Sequence, residues 1–339
     1  MKTNIQKSLE LVLDGQDLSR EEAEGVMVDI MTGQCTDAQI GGWLAAMRMK
    51  GESADELAAG IAVMRRNCLK ISCDDPQAID IVGTGGDGIG TWNISTAAVF
   101  VAAGAGVTVA KHGNRALSSK TGAADVLSTL GINTTCSVEL MEKALRELGV
   151  SFLFAPLLHP AMKYAIGPRR EMAVRTLFNL LGPMTNPAGA RRGLLGVFNK
   201  HYCRLLAEAG LQLGEEHMMF VHGLDGLDEL TVTTSSYVCE VKNGKLTEYE
   251  LNPEDYGLSL WPLEDLLGGE PDLNAKELRD VLGGKEGAYL DAIILNAGAG
   301  IYTSGKVLDL QAGVDRARES IRSGAALAKL ESLIEISNS

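Results

Sequence analysis

The run from Asp80 to Ser119, DIVGTGGDGIGTWNISTAAVFVAAGAGVTVAKHGNRALSS, constrains the fold more than any other stretch, because two polar, glycine-rich loops flank one apolar segment. A strand that ends in closely spaced glycines and hands over to a helix is how an α/β protein exposes backbone N–H groups to phosphate. The first loop alone is ambiguous. Lys111, His112, Asn114 and Arg115, placed after the next apolar strand, bring cationic and amide donors to the same sheet edge. Together the two loops point to a polyphosphorylated substrate.

With 339 residues, 45% of them hydrophobic, the chain can bury a large core and is long enough for one large α/β domain and a smaller companion. A net charge of −13 opposes any polyanion that must be attracted by the whole surface, so neither nucleic acid nor an anionic membrane is an expected partner. A phosphate site must therefore be local. Six scattered cysteines (Cys35, Cys68, Cys73, Cys136, Cys203 and Cys239) show no CxxC pairing and read as small hydrophobes in a reducing compartment. The N-terminal MKTNIQKSLELVLDG interleaves charged and apolar residues without a long apolar core, which predicts neither a signal peptide nor an anchor and places the protein in the cytoplasm.

From Thr3 to about Asn67 the pattern is helical, with capping-box signatures at Ser19-x-x-Glu22, Thr36-x-x-Gln39 and Ser53-x-x-Glu56 and glycine stops at Gly15, Gly33 and Gly51. Trp43, Leu44, Met47 and Met49 give this bundle an apolar face that serves either an internal core or a second copy. Beyond Pro76, short apolar runs alternate with helical patterns, as in a mainly parallel sheet with crossover helices. Strands are expected at Ala78–Val82, Gly106–Ala110, Val150–Phe154, Gly193–Phe198 and Met218–His222, with helices at Ser95–Ala103, Ala123–Leu130, Val138–Leu148 and His201–Leu213. Glu229–Val241 followed by Asn243-Gly244 reads as an edge hairpin. Helices return from Asn274, the longest spanning Ala312–Ile336 and packing on the sheet. The predicted class is α/β: a small N-terminal helical-bundle domain (1–74), joined by helices around 162–185, and a larger α/β domain (75–339) with a mainly parallel central sheet. The block His159–Arg170, then Val174–Leu181, then Gly182–Pro187, contains no obvious strand; it predicts short helices, with prolines in their first turns, that project from the sheet and roof a site.

In GTGGDG, from Gly83 to Gly88, missing side chains allow close backbone approach to phosphate oxygens. Asn93, Ser95 and Thr96 supply an N-cap and first turn whose donors suit phosphate or, through Ser95, a magnesium-type cation. The adjacent cations of Lys111–Arg115 would repel unless an anion or solvent lay between them. Asp228 and Glu229, after the run Met218–Val221, suit a magnesium ion that shares its shell with substrate phosphate. Arg169 could form a bidentate pair with a carboxylate.

GTGGDG, NIST, KHGNR with its SS continuation, HPAMKYAIGPRRE, RTLFNLLGPMTNP and the acidic GLDE loop, in this order over essentially the whole chain, resemble the anthranilate phosphoribosyltransferase family of tryptophan biosynthesis. The resemblance implies a nucleoside phosphorylase-like fold and transfer of a phosphoribosyl group from phosphoribosyl pyrophosphate to the amine of anthranilate. It implies donor contacts from Gly83, Gly86, Asp87 and Thr91, from Asn93, Ile94, Ser95 and Thr96, from Lys111, His112, Gly113, Asn114 and Arg115, and from Ala116, Leu117, Ser118, Ser119 and Ala123. Ala123 stands where many members carry serine, so one side-chain contact is lost. Anthranilate would meet Gly83, Asn114 and Arg169, with His112, His159 and Pro183 along its path. Two magnesium ions per monomer would be held by Ser95, Asp228 and Glu229, and the helical domain would form a homodimer contact. Displacing pyrophosphate through an oxocarbenium-like state demands charge neutralisation and positioning, so no general base is assigned.

Three rivals fit less well. A pyrimidine nucleoside phosphorylase would resemble KxSTGGVGD, which GTGGDG does not match. A nucleic-acid-binding relative would need a broad basic surface. A nicotinamide dehydrogenase would place an acidic residue at the end of a second strand, at an interval this chain lacks.

Overall fold

The computed structural model describes residues 2–115 and 121–339. Four helices open the chain: α1 (Asn4–Leu13), α2 (Arg20–Met31), α3 (Asp37–Lys50) and α4 (Ala54–Asn67). All three expected capping boxes form, Ser19 with Glu22, Thr36 with Gln39 and Ser53 with Glu56. Each N-cap of this kind contributes about 1 kcal/mol to its helix. The apolar face of α3 turns inward: Trp43, Leu44 and Met47 are buried and Trp43 Nε1 donates to Ser8 Oγ at 2.8 Å, whereas Met49 is 89% exposed.

The larger part is built on a seven-stranded sheet: β1 (Ile79–Gly83), β2 (Val109–Gly113), β3 (Val150–Phe154), β4 (Arg192–Gly196), β5 (His217–Gly223), β6 (Ser236–Lys242) and β7 (Lys245–Leu251). Their spatial order is β3-β2-β1-β4-β5-β6-β7, parallel from β3 to β5 and antiparallel in the β6–β7 edge. Side chains alternate between faces. Leu194, Met219 and Val221 join one core, while Leu195, Met218 and Phe220 join the other.

Between strands run α5 (Ile94–Gly104), α6 (Ala123–Thr129) and α7 (Val138–Leu148); after β3 come α8 (Ala155–Leu158), α9 (Lys163–Met172) and α10 (Leu177–Leu181), and α11 (Lys200–Leu213) follows β4. The chain finishes with α12 (Pro271–Leu282), α13 (Ala288–Ser304), α14 (Leu310–Arg322) and α15 (Ala325–Ser337). α5 and α13 fill one face of the sheet, and α11 fills the other together with the helical bundle. α9 packs on α2 and α3, and α10 on α3 and α4, so that Ala165, Leu177, Phe178 and Leu181 share the bundle's core.

Several expected boundaries shift for local reasons. β2 starts at Val109 rather than Gly106, because Gly106 is left-handed and the Val107 N–H donates to Ala102 O, closing the end of α5. Lys111 and His112 therefore lie inside the strand. The helix expected from Val174 starts at Leu177, since Ala173 takes a left-handed turn at the end of α9. Pro168 sits inside α9 and not in a first turn. Strand pairing in the edge hairpin begins at Ser236, not Glu229, although the Asn243-Gly244 turn forms with both φ positive. Left-handed Gly324 divides Ala312–Ile336 between α14 and α15, which form mainly an outer layer on α5, α7 and α13.

Candidate active site

β1 has β2 on one side and β4 on the other, so the strand order reverses there, and ligands of such sheets sit outside the carboxyl ends of the strands at that point. A cavity of about 580 Å³ opens at this position. Gly83 and Gly196 are paired neighbours at the ends of β1 and β4. A Cβ on Gly196 would lie 1.6 Å from the Asp228 carbonyl oxygen, and one on Gly83 would lie 2.6 Å from Asp228 Oδ2. The two glycines let the acidic loop lie flush on the strand ends.

One wall of the cavity is the glycine-rich loop, the start of α5 and the acidic loop. Asp228 Oδ2 accepts from the Gly85 N–H at 2.6 Å, and Glu229 Oε1 accepts from the Ser95 N–H at 3.2 Å. Both carboxylates are buried. Burial, reinforced by the nearby Asp87, pushes the Asp228 carboxyl well above the carboxylate range; burial also raises Glu229, to about 7, against the opposing pull of Lys111. Among the described residues no three His, Cys, Asp or Glu side chains converge as a ready-made metal cage. Magnesium asks for less, one or two carboxylates with phosphate and water completing its shell. Two buried carboxylates that lack a full counter-charge and face a cavity fit that donor set.

Lys111 behaves differently from the expectation of a loop cation. Its side chain is buried, Nζ donates to Ile81 O at 2.7 Å, and Asp80 and Glu229 offset its charge while burial pulls its pKa down. Asp80 accepts from the His112 N–H and, at 2.7 Å, from Asn186 Nδ2; burial lifts its carboxyl to about 6. Internal carboxylates thus supply the anion that the closely spaced cations required. Arg115 is exposed and lies 5.9 Å over the Phe154 ring. Asn93 occupies the N-cap of α5 but does not cap with its side chain, which bonds to Asn274 and Thr121 instead.

The opposite wall comes from α8 to α10. Half-buried Arg169 stands 5.2 Å over the Phe178 ring, with Nη2 3.5 Å from Asn179 Oδ1, and among the described residues no carboxylate pairs with it. Burial pulls its pKa down to about 10. Between the walls the His159 and His112 rings meet Nε2 to Nε2 at 3.2 Å, and burial lowers them to about 4 and about 3, so both are neutral at ordinary pH. Pro183 lies in the following turn.

The described residues expected to contact donor, acceptor or metal line this one cavity: Gly83, Gly86, Asp87, Thr91, Asn93 to Thr96, Lys111 to Arg115, Ala123, His159, Arg169, Pro183, Asp228 and Glu229; Gly88 of the glycine-rich loop is not in its lining. Ala116, Leu117, Ser118 and Ser119 lie outside the described residues. Sequence reasoning gave no role to Arg175, Phe178 or Asn179, which also line it. Thr176-x-x-Asn179 is a capping-box spacing with asparagine in place of glutamate or glutamine, and the Thr176 N–H does donate to Asn179 Oδ1 at 3.0 Å. Also unforeseen was the segment Leu266–Gly268, which holds the far end of the glycine-rich loop through Trp92 N–H to Leu266 O and Gly268 N–H to Gly90 O, each 2.9 Å.

A family model described as "Glycosyl transferase family, helical bundle domain" matches residues 6–68, and "Glycosyl transferase family, a/b domain" matches 75–327. An anthranilate phosphoribosyltransferase of Anaeromyxobacter sp. (strain K) is 49% identical over 330 residues, covering 97% of this chain and 98% of that one. The chain belongs to the anthranilate phosphoribosyltransferase family. The crystal structure of the Thermus thermophilus member superposes with a TM-score of 0.93 at 43% identity, covering 98% of this chain and 99% of that one. The Saccharomyces cerevisiae member, in complex with PRPP and Mg, gives 0.90 at 28% identity over 98% of each chain; with 4-fluoroanthranilate it gives 0.88 at 27% over 98% and 97%. The helical part followed by an α/β part with a mostly parallel sheet is the plan of this family.

Proposed function

We infer that this chain transfers the 5-phosphoribosyl group of phosphoribosyl pyrophosphate to the amine of anthranilate, giving N-(5-phosphoribosyl)anthranilate and pyrophosphate in tryptophan biosynthesis. One observation carries the mechanism: a single cavity has buried, incompletely neutralised carboxylates on one wall and, on the other, a guanidinium that no carboxylate pairs among the described residues. The first wall suits a metal-bound pyrophosphate and the second suits an aromatic carboxylate.

The bond from C1 of the ribose to pyrophosphate breaks, the C1–N bond forms, and the new ammonium gives its proton to water. An aromatic amine is a free nucleophile near neutral pH, so the residues have to position and neutralise rather than abstract a proton. Backbone N–H groups of the glycine-rich loop and the first turn of α5 would hold the donor's phosphates, with Asn93, Ser95 and Thr96 alongside. Arg169 and Asn114 would orient the acceptor, and the neutral His112–His159 pair would line its path. Ser95, Asp228 and Glu229 would hold magnesium, at two ions per monomer; when bound, magnesium neutralises the leaving pyrophosphate. Residues 1–74, with the helices around 162–185, would form the smaller domain and a homodimer contact in a cytoplasmic enzyme. Among the described residues no helix is long and apolar enough to cross a membrane.

Loss of anthranilate fluorescence on adding phosphoribosyl pyrophosphate and magnesium, with the product's mass confirmed, is the expected result. Phosphorolysis of thymidine or uridine without anthranilate turnover would overturn this function.

A further inference from the structure

The chain turns sharply between α9 and α10, the two helices that carry Arg169 and Asn179. Ala173 takes φ 50° and ψ 30° there, a left-handed conformation unfavourable to a residue with a Cβ, and Arg175 follows outside either helix. Three contacts meet on Arg175. Its Nη1 donates to Gly86 O at 2.9 Å, its guanidinium lies 4.2 Å over the Phe198 ring, and its own carbonyl accepts from Arg48 Nη1 on α3 at 2.9 Å. Phe198 is fastened to the same loop, its N–H donating to Thr84 Oγ1 at 3.0 Å while the Thr84 N–H donates to Gly196 O at 2.9 Å.

A trans peptide carries its C=O and the next N–H on opposite sides. Holding Gly86 O therefore fixes the direction of the Asp87 N–H, in a loop where Gly85, Gly86, Gly88 and Gly90 all have positive φ and little of their own to hold a peptide plane. We propose that Arg175 is a positioning residue that clamps the phosphate-binding loop from the acceptor-side roof by setting the Gly86–Asp87 peptide. Its kinetic consequence rests on the phosphoribosyl-transfer function above. Lysine at this position reaches the carbonyl with one ammonium but lacks the planar fork that donates and stacks at once, and leucine does neither.

Backbone hydrogen exchange of the ligand-free protein reads the clamp without turnover, because the Thr84, Gly85 and Ile89 amides are hydrogen-bonded within the loop region. Arg175→Leu is expected to speed exchange in peptides covering 83–92 about tenfold and Arg175→Lys about threefold, with α1 and α2 unchanged. In turnover, Arg175→Leu should raise the KM for phosphoribosyl pyrophosphate about tenfold, leave that for anthranilate within about twofold, and be partly rescued by Arg175→Lys. Unchanged loop exchange in Arg175→Leu overturns the clamp whatever the kinetics, as does an equal rise in both KM values. Faster loop exchange in a protein whose wild type consumes no anthranilate supports the clamp and sinks the transferase function instead.

Discussion

Asp228 and Glu229 on one wall of the cavity and Arg169 on the other are shifted in opposite directions by the same cause. Burial pushes the carboxyls up, Glu229 to about 7, and pulls the guanidinium down to about 10. Two buried carboxylates elsewhere do meet a cation, Glu56 accepting from Lys50 Nζ at 2.9 Å and Glu215 bridged by Arg65, while Glu52 accepts from the Tyr202 hydroxyl at 3.0 Å. A buried charge without a full partner is unfavourable to the folded protein unless a ligand supplies the missing sign. On the proposed function the acidic wall would take a metal-bound polyphosphate and the basic one a carboxylate, with the neutral histidine pair lining the same cavity.

The comparison breaks most visibly if the acidic wall is emptied. Asp228→Ala with Glu229→Ala should lower magnesium-dependent turnover about a hundredfold or more, with the thermal midpoint within a few degrees of wild type or above it, since incompletely paired buried charges are being removed. Wild-type turnover in that variant would remove the metal assignment. A middle-sized effect concerns the boundary between the walls. The folded-state pKa values of His112 and His159 lie below the free value of 6.5, at about 3 and about 4, so the unfolded chain takes up protons first and their contribution to stability, present above pH 6.5, is lost as pH falls toward 4 and below. The raised Asp80, Asp228 and Glu229 carboxyls act in the opposite sense over that window, so the histidine contribution is read as a difference: between pH 6.5 and 4 the change in thermal midpoint should be less unfavourable in His159→Gln than in wild type, by on the order of a few degrees. The same pH response in both proteins would mean that His159 is not held neutral. The smallest effect sharpens the donor side: Ala123→Ser adds a hydroxyl at a half-buried position on the cavity and should lower the donor KM about threefold. A raised KM would mean the added oxygen crowds the site.

The donor wall was legible because its chemistry is local. Gly83 to Thr96 is one strand end and one helix start, and glycine, N-cap and periodicity signals all act within a few residues. The acceptor wall was only half legible. Arg169 stood out as a cation, but its setting depends on Phe178 and Asn179 across the left-handed turn at Ala173, which an alanine gives no reason to expect. The pattern puts Lys111 after a strand because Gly106 and Val107 read as that strand's start, when they serve the end of α5 and β2 runs on through Gly113. Its charge partners, Asp80 and Glu229, lie far away in sequence and come together through the parallel pairing of β1 with β2 and β4 and of β4 with β5. Local patterns carry no information about such partners.

The division into two walls is tested most directly by initial rates of Arg169→Ala, with anthranilate fluorescence followed while each substrate is varied in turn. Loss of a charge-assisted contact to the carboxylate should raise the anthranilate KM at least about tenfold and leave the KM for phosphoribosyl pyrophosphate within about twofold. Equal increases in both would contradict separate donor and acceptor walls.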